Sequence, residues 1–282
     1  MGLTAPSFVP PDGCHYGTQL DLGAPARTLD GIRDFLPKWG NNRCSATHCL
    51  CSGRTPKAEA AMLDCDYTLP HATAPTRGVF CLETDWADVK TALSVHPMLE
   101  LLRSCPLGVP FIHRNVATRD SMRYYLTKWA QRAQDDHPIL YMAFHGLSGE
   151  LHFGDQRRRD AHLTLDELEK LLEGRCEGRI IHFGSCQTID ITRRRLRRFI
   201  DATGVVSVSG FRQDVDWVRS AILDFALFAA FQQNSMTVAG MRAVRNRLAR
   251  RYAYECRALS FRMETRVSRR ARKRNLSRGI AA

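Results

Sequence analysis

From Gly78 onward, short and nearly unbroken apolar runs alternate with stretches of helical spacing, and no other feature of the 282-residue chain narrows its fold so far. The runs are GVFCLET, VPFIHRNV, ILYMAF, RIIHFG and VVSVSG. A strand with one wet face alternates apolar and polar residues. Strands that are apolar on both sides belong to a sheet covered on both faces, the usual setting of parallel strands. The intervening segments supply the covers. ADVKTALSVHPMLELLRSC has helical spacing with Pro97 predicted to kink or divide it. Thr118 predicts an N-cap for RDSMRYYLTKWAQRAQ, whose Met122, Tyr125, Leu126 and Trp129 share one face. Thr164 and Glu167 form a capping box that opens LDELEKLLEG, and Gly174 closes it. RRRLRRFIDATG has a basic face, DWVRSAILDFALFAAFQQ is apolar enough to be largely buried, and ELHFGD reads as a short extra strand. The expected fold class is α/β, a mainly parallel sheet in a three-layer α/β/α arrangement.

The pattern divides the chain into three parts. Residues 1–77 hold eight of the twelve prolines and five of the ten cysteines with little apolar periodicity, which predicts an irregular extension. Met62 would also serve as a later start that leaves the patterned region whole. Within the extension, Cys44, His48, Cys49 and Cys51 crowd together, with Cys65 further on, but not at the paired spacing of zinc ligands, so no metal or cofactor is expected. Residues 78–241 form the patterned domain. From Arg242 to the end there are 14 basic side chains against Glu255 and Glu264, which accounts for the whole net charge of +12. This basic helical tail, 242–282, predicts contact with a polyanion such as nucleic acid. Neither a secretory signal nor an apolar run of membrane-spanning length is legible, and the cysteines are scattered. We therefore expect a cytoplasmic protein with reduced thiols and no membrane contact.

Two strand ends carry chemistry. ILYMAF runs into His145 and Gly146, and RIIHFG runs into Ser185 and Cys186, 41 residues after the histidine. In parallel sheets active sites form beyond the carboxyl ends of the strands. If these two strands are neighbours, a spacing of about 4.8 Å brings an imidazole and a thiol within working distance. A lone cysteine or histidine at such a place is more often packing, and His152, His182 and Cys81, which lie inside strands, read that way.

The order of a strand ending in His-Gly, a small hairpin, a helix, and a strand ending in Gly-Ser-Cys resembles the caspase-like cysteine peptidases of clan CD, the CHAT and separase group. GVVSVSGFRQDVDWVRSAILDFALFAAF is similar to the segment that follows the nucleophile in CHAT domains. The resemblance covers about residues 78–235. It implies a caspase-like fold and a cysteine endopeptidase that cleaves protein substrates with a Cys186–His145 dyad. It further implies an oxyanion hole from the backbone N–H groups of Gly146 and Cys186, and a regulatory partner protein. The Gln-Ala-Cys of true caspases is absent.

Separases and metacaspases use acidic pockets for a basic residue before the cut. By that resemblance Asp155, Asp214 and Asp216 are the substrate-binding candidates, although turn chemistry alone also explains aspartates in loops. Arg212, in the same loop as Asp214, points instead toward an acidic substrate. A cysteine beside an imidazole is expected to have a depressed pKa and to be the most reactive thiol of the ten. Two other readings stand beside the peptidase: a catalytically silent interaction module, and a nucleic-acid binder whose tail interleaves arginine with Tyr252, Tyr254 and Phe261.

Overall fold

The computed structural model describes residues 77–87, 90, 92–154 and 160–267. All of them belong to the second of two compact units, Asp64–Ala282. The predicted N-terminal extension with its cysteine cluster, Asp155, and the residues after 267 lie outside the described residues.

A six-stranded sheet forms the centre, in the order β2-β1-β3-β7-β8-β9. Its strands are β1 (Val79–Glu83), β2 (Phe111–Asn115), β3 (Ile139–Ala143), β7 (Ile180–Phe183), β8 (Ser207–Phe211) and β9 (Phe261–Thr265). The first five are parallel and β9 is antiparallel at the edge. The two-residue alternation of strand side chains sorts the core into two halves. Phe80, Leu82, Leu140, Met142, Ile181 and Phe183 pack on one face, and Val79, Cys81, Ile139, Tyr141, Ala143 and Ile180 on the other. The first face is covered by α2 (Arg119–Trp129), α3 (Leu165–Leu172) and α4 (Arg193–Thr203). The second is covered by α1 (His96–Ser104), α5 (Trp217–Gln232) and α6 (Val238–Arg251), with the short α7 (Ala253–Ala258) after it. The molecule is thus α/β, with helices on both faces of a mainly parallel sheet, as the doubly apolar strands predict. Each fully buried Leu or Phe in these layers contributes roughly 1.5–3 kcal/mol of transfer free energy.

The predicted caps hold. Thr118 and Ser121 form a reciprocal capping box on α2, and Thr164 and Glu167 do so on α3. Gly174 follows α3 with a left-handed φ of 66°. Met122, Leu126 and Trp129 are buried as expected. Pro97 does not kink a long helix. It occupies the first turn of α1, where a missing N–H costs nothing, and residues 92–95 ahead of it are not helical.

Two further differences bear on function. His145 is the first residue of a separate three-stranded antiparallel sheet, β4 (His145–Leu147), β5 (Glu150–His152) and β6 (His162–Thr164). Only β5 was visible as an alternating run; β4 and β6 are three residues each, too short for periodicity to register. The second difference is at the C-terminal side. The predicted boundary at 241 cuts through α6, and the segment that follows it includes β9, paired with β8 from Phe211↔Phe261 to Ser207↔Thr265. Residues 242–265 are therefore part of the domain. Arg242, Arg250, Arg251 and Arg257 are exposed on elements whose inner residues, Val244, Leu248, Leu259 and Met263, are core.

Candidate functional site

The site is built from the ends of β3 and β7, which are neighbours and parallel. Met142 and Phe183 are matched partners in the register, so His145 and Cys186 each stand three residues beyond the same rung. Past those ends the two chains touch. A Cβ placed on Gly146 would collide with the Cys186 carbonyl, Thr188 Oγ1 and Ser185 Cβ, so only glycine lets β4 lie against the cysteine turn. That close approach, more than openness of the amide, is what residue 146 requires.

Thr188 stitches the contact. Its hydroxyl donates to the Glu150 carbonyl at 3.0 Å and shares a 2.7 Å hydrogen bond with Ser185 Oγ. Its backbone N–H donates to the Cys186 carbonyl at 2.6 Å, and its carbonyl accepts from Gly149 N at 3.1 Å. Gln187, directly after the cysteine, is left-handed at φ 52°. A non-glycine residue adopts this conformation only where its surroundings over-determine it. Here the Gln187 N–H donates to the Gln213 carbonyl, its own carbonyl accepts from Asp190 N at 2.7 Å, and its side-chain amide donates to Asp214 Oδ1 at 2.9 Å.

His145 is half-buried, and its Nε2 lies 3.0 Å from the Trp86 carbonyl. A carbonyl can only accept, so Nε2 carries the hydrogen, and in the neutral ring Nδ1 is the basic nitrogen. The Trp86 ring meets the imidazole edge-on, with centroids 5.3 Å apart. Cys186 is also half-buried and free. Burial pushes its thiol up, the backbone N–H of Val215 pulls it back, and the Asp214 carboxylate beside it pushes it up again; the net shift is upward. The expectation of a depressed pKa is corrected: the group nearest the sulfur that carries charge is an anion. The thiols of buried Cys176 and half-buried Cys256 go further, to about 12 and about 11, and burial drives Cys81 well above the ordinary range.

The substrate-binding candidates separate. Asp214 is exposed, held by Gln187, and adjacent to the thiol. Asp216 is the N-cap of α5, where its carboxylate accepts from Arg219 N at 2.8 Å, so turn chemistry explains it. Arg212 is engaged by Asp190 at 3.1 Å and is not a free cation for an acidic substrate.

A second polar constellation lies beneath the turn. His182, on β7, has both ring nitrogens engaged, Nδ1 with Ser209 Oγ at 2.9 Å and Nε2 with Asp224 Oδ1 at 2.7 Å. Tyr141 donates to Asp224 Oδ2 at 2.8 Å, stacks on the His182 ring, and leaves no room for a side chain at Gly184. All four residues are buried. His182 is thus a packing residue, as its place inside a strand predicts.

Four residues that shape the site were not singled out from the sequence: Glu83, Trp86, Ser185 and Thr188. Trp86 acts through its carbonyl, which every residue possesses, so no side-chain pattern reveals it. Glu83 closes the first strand as an acid after an apolar run, and this was the one legible signal. Among the described residues no group of three or more His, Cys, Asp or Glu side chains converges in the manner of a metal site. No helix among them is long and apolar enough to cross a membrane.

The fold and the site define an α/β domain with a histidine and a cysteine just beyond the ends of two adjoining parallel strands. The chain belongs to a family of unknown function, DUF6642, which matches residues 76–264 and so includes all but the last residue of β9 and nearly all of the described domain. No curated protein matches the chain.

Proposed function

We propose that the protein is a cysteine endopeptidase of the caspase-like, CHAT and separase type, acting through Cys186 and His145. The observation that supports this most is the register: the two residues follow matched positions on adjacent parallel strands, with the backbone of Gly146 packed on that of Cys186. Because the thiol rests protonated, the histidine must act as base during the attack and not only as an acid afterwards. Nδ1 of His145 takes the Cys186 proton as Sγ adds to the scissile carbonyl. The tetrahedral oxyanion is received by the backbone N–H groups of Gly146 and Cys186. Nδ1 then returns the proton to the leaving amine as the C–N bond breaks, and water, deprotonated by the same nitrogen, hydrolyses the thioester and frees the thiol.

Asp214 gives the reading a substrate class. A carboxylate beside the nucleophile favours a cationic residue before the cut, and its partial neutralisation by that residue would relieve the brake on the thiol. The activity fits a reducing, cytoplasmic setting, since all five cysteines among the described residues are free. Protein substrates and a regulatory partner protein are the partners this reading implies. The test is cleavage of matched peptides with Arg, Lys, Asp or Asn before the bond, compared in the native chain and in Cys186→Ala. Cleavage after Arg and Lys that vanishes in the variant is expected. Cysteine-independent cleavage, or alkylation of Cys186 that ignores His145→Ala, would overturn the proposal.

A polyanion contact is a second reading, favoured by the exposed, outward arginines of α4 and α6, among them Arg194, Arg197, Arg242 and Arg250. Its test is retention on heparin across a salt gradient; retention that does not fall with salt would remove it.

A further inference from the structure

Glu83 stands at the carboxyl end of β1, next to β3, and is buried. Four donors converge on its two oxygens. Oε1 accepts from the Trp86 indole N–H at 2.5 Å and from the Val95 backbone N–H at 2.8 Å. Oε2 accepts from Ser94 Oγ at 2.6 Å and from His113 Nε2 at 2.6 Å. Its own carbonyl receives Val116 N at 2.7 Å. A buried carboxylate with this many partners is a fixed point, because each lost bond leaves a donor or acceptor stranded away from water.

The first of those partners leads to the site. The residue whose indole is held by Glu83 is the one whose carbonyl takes His145 Nε2–H at 3.0 Å, and its ring lies against the imidazole. Residue 84 is tied independently, with Thr84 N donating to the Ala143 carbonyl at 3.1 Å and Thr84 Oγ1 accepting from Gly154 N at 2.9 Å. The position of the Trp86 carbonyl therefore depends on the Thr84 anchor behind it and on the indole anchor at Glu83. A carbonyl displaced by an ångström no longer selects the Nε2–H form, and the ring becomes free to place its hydrogen on Nδ1. That form has no lone pair on Nδ1 with which to accept a thiol proton.

We infer that Glu83 is a positioning residue: by clamping the Trp86 indole it holds the Trp86 carbonyl against His145 and so reserves Nδ1 of that histidine as the base. The inference concerns the histidine's tautomer, and its catalytic meaning rests on the peptidase reading above. Ser94, Val95 and His113 hold Glu83 in turn.

The tautomer is directly observable. In the ¹⁵N-labelled full chain at about pH 8, where an ordinary imidazole is neutral, long-range ¹H–¹⁵N correlations report which nitrogen of each histidine is protonated. The His145→Ala spectrum assigns the signal. Native protein should show His145 as Nε2–H alone. Glu83→Gln should give a mixture containing Nδ1–H, and so should Trp86→Phe, which keeps the carbonyl and an aromatic ring but loses the indole donor. The His182 signals, which report the buried core, should not move in either. If Glu83→Gln fails to fold, Trp86→Phe carries the test by itself. The same variants should slow the His145-dependent alkylation of Cys186 about tenfold or more, since a histidine in the wrong tautomer is a poor base. An unchanged His145 tautomer in a folded variant that lacks the indole–carboxylate bond overturns the inference. Tautomer changes as described, in a protein whose Cys186 ignores His145, would support the inference and sink the peptidase reading alone.

Discussion

His182 lies within the parallel strand β7 and His145 two residues past the end of the parallel strand β3; both neighbour aromatic rings, and both sit within a few residues of a glycine that admits close packing. They nonetheless have opposite chemistry. His182 is saturated, with one nitrogen on Ser209 and the other on an aspartate that Tyr141 also binds. His145 has one nitrogen on a carbonyl and is half-exposed. The comparison teaches that a Ser–His–Asp string is no sign of catalysis when it is sealed, and that a histidine is poised for proton transfer when one nitrogen is held and the other is reachable.

The largest effect that would break this comparison is on activity. His145→Ala should lower cysteine-dependent hydrolysis or alkylation by roughly 10²–10⁴-fold while leaving the melting temperature almost unchanged. Equal loss from a folded His182 variant would erase the distinction. Next comes stability. Asp224→Ala strips the partner from His182 Nε2 and the Tyr141 hydroxyl inside the core, and should cost about 3–5 kcal/mol in denaturant unfolding. A loss below about 1 kcal/mol would mean that the buried bonds among Tyr141, His182, Ser209 and Asp224 do not hold the core together. Between the two sites, Gly146→Ala forces β4 off the cysteine turn and should cost about 1–3 kcal/mol. Activity should fall with it, because the collision falls on Cys186 and Thr188; retained activity would show that the turn can yield.

Smaller effects concern charge. Asp214→Asn removes an anion that raises the Cys186 pKa. Alkylation at neutral pH should speed up, and its pH midpoint should move down, toward the ordinary thiol range. No shift would mean that burial alone sets the thiol. Finally, Glu83 is pulled upward by burial, but the hydrogen bonds from His113, Ser94, Trp86 and Val95 outweigh it and leave its pKa below the ordinary 4.5. A depressed acid stabilises the fold at pH above its unfolded value, and that contribution is lost as pH falls through the folded one. Stability should therefore drop as pH is lowered below about 4.5, more steeply in the native chain than in Glu83→Gln. Parallel curves would contradict this.

Much of the fold was legible because it rests on patterns longer than a helical turn. The five parallel strands, the caps at Thr118 and Thr164, and the strand-end positions of His145 and Cys186 follow from periodicity and position. What escaped was local or long-range in a way that periodicity does not encode. Strands β4 and β6 are too short, Pro97 fits a helix start as readily as a kink, and β9 pairs with a strand about 50 residues earlier. The thiol's pKa escaped for a different reason. It depends on which loop residue lies nearest the sulfur, and Asp214 reaches it from beyond β8.

The antiparallel edge strand has a consequence in time. Arg262 donates to the carbonyls of Ile189 and Ile191, just past the cysteine, Ser260 Oγ donates to Gln213 Oε1, and Gln213 receives Gln187 N. These ties come from residues synthesised some 70 positions after the segment they brace. At about 5–20 residues per second, a nascent chain displays Cys186 for several seconds before its brace exists. The turn that carries the thiol is thus fully braced only once β9 has left the ribosome; if the peptidase reading holds, chains arrested before residue 260 should be unreactive at Cys186, and full-length arrested chains should react.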